Sequence, residues 1–228
     1  MNDAGHSVKP VPRARKSEAA PAAGRTNDPA RTMAGILKVA TAEFAAKGLA
    51  GARIDAIADA THTSKRMIYY YFGSKEGLYA AVLEDSYRRV RSREADQSLG
   101  ELPPEEALRK LVAFTFDHHH GNQDYIRLVM TENMARGAYI RQIPEIQQLN
   151  SPAIDAIRGL YERGVKSGAF RPGIDPIDIH ASISALSFFN VSNQYTFGAI
   201  FDRHTQSGAA MAARRDSVIE MIVRFVRA

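Results

Sequence analysis

Between Ser64 and Tyr79 the chain reads SKRMIYYYFGSKEGLY, so that Lys65, Arg66 and Lys75 bracket Tyr69, Tyr70 and Tyr71. Ammonium and guanidinium groups neutralise anionic oxygens, and phenols add uncharged donors to the same oxygens. A guanidinium such as that of Arg66 can also make two parallel hydrogen bonds to a guanine edge. Side chains on a helix fan out at about 100° per residue, so one core cannot hide four consecutive aromatics. Taking Ile68 and Phe72 as the buried stripe, Arg66 and Tyr70 point nearly opposite to it. Lys65 and Tyr69 then fall on one flank, Met67 and Tyr71 on the other.

These residues need a short helix held against others. Ser64 is placed to cap it, and GS at 73–74 to end it before Ser74 caps a fourth helix from Lys75 to about Gln97. Upstream, Ile36, Val39, Ala40 and Phe44 recur at helical spacing from Asp28 until Gly48. RIDAIADA makes a second short helix, THTS a tight turn, and Ala58 is small enough to let the flanking helices approach. Two short helices across a tight turn after a longer one form a helix-turn-helix.

The remainder also reads as helices. One starts at Pro103 and Pro104 and runs to about His120, and another spans Gln123 to about Arg136. GAYIRQIPEIQQLN is less regular and interrupted by Pro144. Further helices run from Pro152 to Lys166, from the cap Asp175 to about Phe201, and from Ser207 to Arg227. No segment alternates as a strand would, and no repeat is visible, so the fold class is all-α.

Residues 31–80 resemble the DNA-binding domain of TetR-family transcriptional regulators, and IYYYFGSKEGLY is the most specific part of the match. The resemblance implies a homodimer that sets one recognition helix per subunit into successive major grooves of a palindromic operator in double-stranded DNA. Lys65 and Arg66 would then read bases, with Tyr69, Tyr70, Tyr71 and Lys75 on phosphates and Thr63 and Ser64 at the helix start. Two positions depart from the family. His62 stands where a turn glycine is usual, in a conformation that disfavours other residues. Ala52 and Arg53 replace a customary threonine, which leaves Arg53 to supply the phosphate contact.

The expected organisation is a basic disordered arm over 1–27, a helix-turn-helix domain over 28–74 and a helical ligand-binding and dimerisation domain over 75–228. YERGVKSGAFRPGIDP is similar to a loop common in the family, and SISALSFFNVSNQYTF resembles a group that includes regulators of aromatic catabolism. The expected ligand is a small, largely apolar effector. Phe114, Met130, Asn133, Met134, Tyr161, Phe188 and Asn193 are the candidate pocket residues, each more readily a member of an ordinary core. Ile183, Leu186, Phe188, Phe189 and Phe197, with Val218, Ile219, Ile222, Val223 and Val226, suit a four-helix dimer interface. Asp117 and His120 in DHHHG share a face, but without a further ligand they make an incomplete metal site. A frayed helix end with histidines at its negative pole is the simpler reading.

The chain has 228 residues, a net charge of +5 and no cysteine, which excludes disulfides and zinc–thiolate sites. No apolar run suits a membrane span, so a soluble cytoplasmic protein without a cofactor is expected. No nucleophile elbow, metalloprotease, Walker or dinucleotide motif points to an enzyme. The reading that competes with DNA binding is a helical adaptor whose third helix meets a protein surface.

Overall fold

The computed structural model describes residues 28–202 and 208–228, so the arm expected over 1–27 lies outside the described residues. Among those residues the chain forms α-helices, two 3₁₀ turns and a single isolated bridge, Phe170 to Arg227.

The head begins with α1 (Pro29–Gly51), capped by the Asp28 carboxylate, which accepts from the amide of Ala30 at 3.0 Å. Gly48 takes φ 65°, a left-handed turn that ends the regular helix where the sequence placed its stop. Then come α2 (Ile54–Ala60) and α3 (Lys65–Phe72). Ala58 between them is buried, so their backbones do approach closely. His62 in the turn has φ 52°, the left-handed conformation anticipated for the position where glycine is usual. The long α4 (Lys75–Ala95) starts on the Ser74 hydroxyl, which accepts from the Gly77 amide at 3.0 Å. A Cβ at Gly77 would sit 2.0 Å from the Phe72 carbonyl oxygen, so only glycine lets α3 and α4 join this tightly.

The body comprises α5 (Pro104–Gly121), α6 (Gln123–Met134), α7 (Pro144–Lys166), α8 (Pro176–Ser192), α9 (Gln194–Phe201) and α10 (Gly208–Val226). Two of these differ from the sequence expectation. Pro144 opens α7, and Pro152 lies inside it rather than starting it. Pro152 has no N–H to offer, and just upstream the side chains of Asn150 and Ser151 bond the carbonyls of Ile146 and Gln147 at 2.6 and 3.2 Å. The helix expected to run unbroken to Phe201 is interrupted at Asn193, φ −107°, after the weak helix formers of NVSN.

Two hydrophobic cores organise the packing. The body core is built from α5, α7, α8 and α10, around Leu111, Phe116, Ile157, Ile183, Ile222 and Val223. The head core joins Ile36, Phe44, Ile57, Ile68, Leu78, Tyr79 and Val82, but it also takes in Leu128 from α6 and Ile143 and Ile146 from the start of α7. The packing therefore does not divide at residue 74, because α6 lies directly against α1.

The apolar residues expected at a dimer interface are mostly internal. Val218, Ile219, Ile222, Val223, Val226 and Ile183 are buried in the body core. Of the expected residues Phe189 on α8 is exposed, and it is joined by others: Ile177 on α8, Tyr195, Ile200 and Phe201 on α9, and Met221 and Phe225 on α10.

Candidate nucleic-acid interface and interior cavity

The third helix has the rotation that its sequence demands. Ile68 is fully buried, Phe72 and Tyr71 are half-buried against the head core, and Tyr70 is 77% exposed. Tyr69 is exposed on the flank, and Tyr70 and Tyr71 meet edge to face at 5.3 Å. Ser64 caps the helix by accepting from the Met67 amide at 3.2 Å. The Thr63 amide is bonded to the Ala58 carbonyl at 3.0 Å, and the residue is half-buried in the turn. Lys65 and Arg66 are both exposed at the first turn. Together they present cations and phenols on one convex face.

Three of these groups have local partners that the sequence did not disclose. Lys65 forms an ion pair with Asp55 of α2, which ties the two short helices together. Lys75 donates from Nζ to the Ala50 carbonyl at 3.2 Å, spanning from α4 to the end of α1. Arg53 is exposed, and its backbone amide donates to Glu43 Oε1 at 3.0 Å. Glu43 thus caps the start of α2, in place of the side-chain cap that Arg53 cannot provide. The same Glu43 oxygen accepts from Lys47 at 2.8 Å, which holds the carboxyl below its ordinary range.

The residues proposed for an effector pocket separate. Phe114 and Phe188 line one interior cavity of about 200 Å³, between α4, α5, α6 and α8, with Asn150 of α7 at its edge. Met130 is half-buried and does not line it. Met134 is 85% exposed at the end of α6, and Asn133 turns back to bond the Val129 carbonyl, so neither lines an interior site. Tyr161 belongs to the body core. It stacks on Phe170, and its hydroxyl donates to the Arg171 carbonyl and accepts from the Ile174 amide, both at 2.9 Å. Asn193 sits at the α8–α9 break, beside a separate groove.

The cavity lining is also more polar than a largely apolar effector requires. His118 and His119 are buried within it rather than frayed at a helix end, and His180 faces them from α8. Burial pulls the His118 and His119 imidazoles down to about 4, so both are neutral at pH 7. Arg91 and Glu94 of α4 form an ion pair in the wall, and burial raises the Glu94 carboxyl. Tyr87 and Tyr125 meet edge to face at 5.5 Å. Asp117 points elsewhere, gripping Arg215 of α10 through two bonds of 2.8 and 2.9 Å. Among the described residues no cluster of three acidic, histidine or cysteine ligands is suited to a metal ion.

Comparison with known proteins matches two stretches of the chain. Residues 36–82 match the pattern of bacterial regulatory proteins of the tetR family, and residues 104–222 match the tetracyclin repressor-like C-terminal domain. The HTH-type transcriptional repressor NicS of Pseudomonas putida is 36% identical over 169 residues, covering 74% of this chain and 80% of that protein. The HTH-type transcriptional repressor SCO4008 of Streptomyces coelicolor is 34% identical, over 62% of this chain and 71% of its own. Among solved structures, the putative regulator SCO4942 of Streptomyces coelicolor superposes with a TM-score of 0.64 at 28% identity, over 86% of this chain and 98% of its own. KstR2 of Mycobacterium tuberculosis shares the fold with a TM-score of 0.64, over 90% of this chain and 98% of its own, at 18% identity. No helix among the described residues is long and apolar enough to cross a membrane. A helix-turn-helix head with a basic, phenolic face, on a helical body matched across most of its length, is not an enzyme: the chain belongs to the tetR family of bacterial transcriptional regulators.

Proposed function

We propose that this chain is a repressor that binds a palindromic operator as a homodimer and is released by a small molecule held in its body. The observation that carries the proposal is the face of α3, where Lys65, Arg66, Tyr69 and Tyr70 stand exposed around a fully buried Ile68. Arg66 is assigned to a base edge. Lys65, once it exchanges Asp55 for DNA, joins it there. The three tyrosines, Arg53, Thr63, Ser64 and Lys75 are assigned to phosphates. One short helix covers only a few base pairs, so useful affinity requires two heads. The exposed apolar residues of α8, α9 and α10 supply the surface for a second copy.

Release follows from how the helices are shared. Tyr87, Val90 and Arg91 of α4 line the cavity, while Leu78, Tyr79 and Val82 of the same helix lie in the head core. On α6, Tyr125 and Val129 face the cavity, and Leu128 faces the head. A molecule that spreads the cavity walls therefore moves two helices rooted in the head. At 1.5 Å per residue, α4 is a lever of about 30 Å, and both recognition helices must meet grooves about 34–36 Å apart. The effector must bind the DNA-incompatible form more tightly, and DNA must weaken effector binding by the same factor.

The test is selection of genomic fragments by the purified chain, followed by sequencing. An inverted repeat with half-sites spaced by whole helical turns is the expected result. Affinity for it should fall steeply with salt, as binding to several phosphates requires. Failure to enrich any sequence, together with salt-insensitive capture of proteins, would favour the adaptor reading.

A further inference from the structure

The cavity holds groups with nothing to bind. Nδ1 of His118 and Nδ1 of His119 are buried without hydrogen-bond partners, and both side chains are 7% exposed. Arg91 contacts Glu94 through Nη1, and its Nε is buried without a partner. Nε and Nη2 form the edge of a guanidinium that grips a carboxylate through two parallel bonds. In this protein Glu94 sits on Nη1 instead, so that edge is not used by it. Orphaned polar atoms in an interior are costly, and they mark either a ligand or a strained site.

The walls limit the shape of the missing partner. Phe114, His118, His119, Tyr125 and Phe188 surround the space with ring centroids 5.8 to 6.2 Å apart. A cavity of about 150 Å³ suffices for benzene, and this one measures about 200 Å³. One planar ring with a short substituent fits. The charges limit its sign. Glu94 occupies only Nη1 of Arg91, so the Nε edge still offers donors suited to an anionic oxygen, and the histidines beside it are neutral.

We infer that the cavity takes a single-ring aromatic acid, its ring among Phe114, Tyr125 and Phe188 and its carboxylate on the Nε edge of Arg91 and the free nitrogens of His118 and His119. This rests on the reading of the cavity as the effector site. The ion pair also borders an apolar groove of about 420 Å³, lined in part by Leu149, Pro152, Ala153 and Leu160. Arg91 and Glu94 are therefore the shared wall through which an acid entering by that groove would first be met.

Calorimetric titration of the full chain with benzoate and with benzamide, its uncharged analogue, tests the assignment. Benzoate should bind at least about tenfold more tightly than benzamide. Arg91→Gln removes the charge and the planar fork together, and should bring the ratio close to one. Equal affinities for the two probes would overturn the acid reading, as would no saturable binding of either. Benzoate preference that survives Arg91→Gln would overturn the role given to Arg91. If that variant unfolds, the wild-type ratio still decides the ligand class. Operator binding by the same preparation, measured without probe, is independent of every one of these results, so failure here is distinguishable from failure of the DNA-binding reading.

Discussion

The Tyr79 hydroxyl donates to Oε1 of Glu132 at 3.0 Å, joining the early part of α4 to the end of α6 in a buried contact. The other carboxylate oxygen, Oε2, accepts from the amides of Tyr139 and Ile140 at 3.3 and 3.0 Å. Glu132 is 4% exposed, and these donors offset the cost of burying its charge. Burial and the adjacent carboxylate both push the Tyr79 phenol up, so it stays a donor at any working pH. Tyr79→Phe removes one donor from a buried charge and is expected to cost about 1.5–3 kcal/mol in urea unfolding. Glu132→Ala strands the phenol and two amides, and should cost more.

Asp55→Asn removes the competitor that holds Lys65 in the free protein. The pair is exposed, so its loss should change stability by less than about 1 kcal/mol. Affinity for random DNA, read by fluorescence anisotropy, should rise. Arg66→Ala should instead reduce the gap between operator and random DNA by about 1–3 kcal/mol. If Arg66→Ala preserves that gap, Arg66 does not read a base.

His62→Gly relieves a left-handed backbone. Such a conformation costs a non-glycine residue about 1–2 kcal/mol, part of which glycine returns through the greater freedom of its unfolded chain. A net gain of about 0.5–1 kcal/mol is expected, visible as a higher melting temperature. An unchanged or lower value would mean that the imidazole has a compensating contact.

Acid should destabilise the body through its histidines. His118 and His119 take up a proton near 6.5 when unfolded but only near 4 when folded. Between those values the unfolded chain binds more protons, so stability falls as pH drops from about 6.5 to 4. Allowing for solvent screening, the two together should account for roughly 3 kcal/mol. His119→Phe should flatten that part of the stability curve, measured by urea unfolding at a series of pH values.

The head was legible because its signals are local. Ser64 and Ser74 cap where their hydroxyls fall, Ile68 fixes the rotation of α3, and Gly48 stops α1 by its own dihedral angles. The cavity was not legible, because Arg91, His118, Tyr125 and His180 come from four helices and meet only after packing. His118 and His119 read as a frayed end because their sequence neighbours show a helix stopping, and nothing there shows α8 lying across it. That Tyr161 packs in the body core and Met134 lies on the surface was hidden for the same reason: an aromatic or a methionine at helical spacing does not say which side of its helix is covered. Asp55 and Glu43 escaped notice as ordinary surface acids, since their partners lie in neighbouring elements.

A head whose core includes Leu128, Ile143 and Ile146 is not a detachable module. A chimera joined at residue 74 would carry the whole of α3 and still expose the side of α1 that α6 covers. Transplanting this specificity onto another body therefore requires α4, α6 and the turn into α7 as well, or new side chains of matching volume at those three positions. The same constraint acts on descent: substitutions that retune the reading helix are free to accumulate on its outer face, while Leu128 and the head residues it touches must change together.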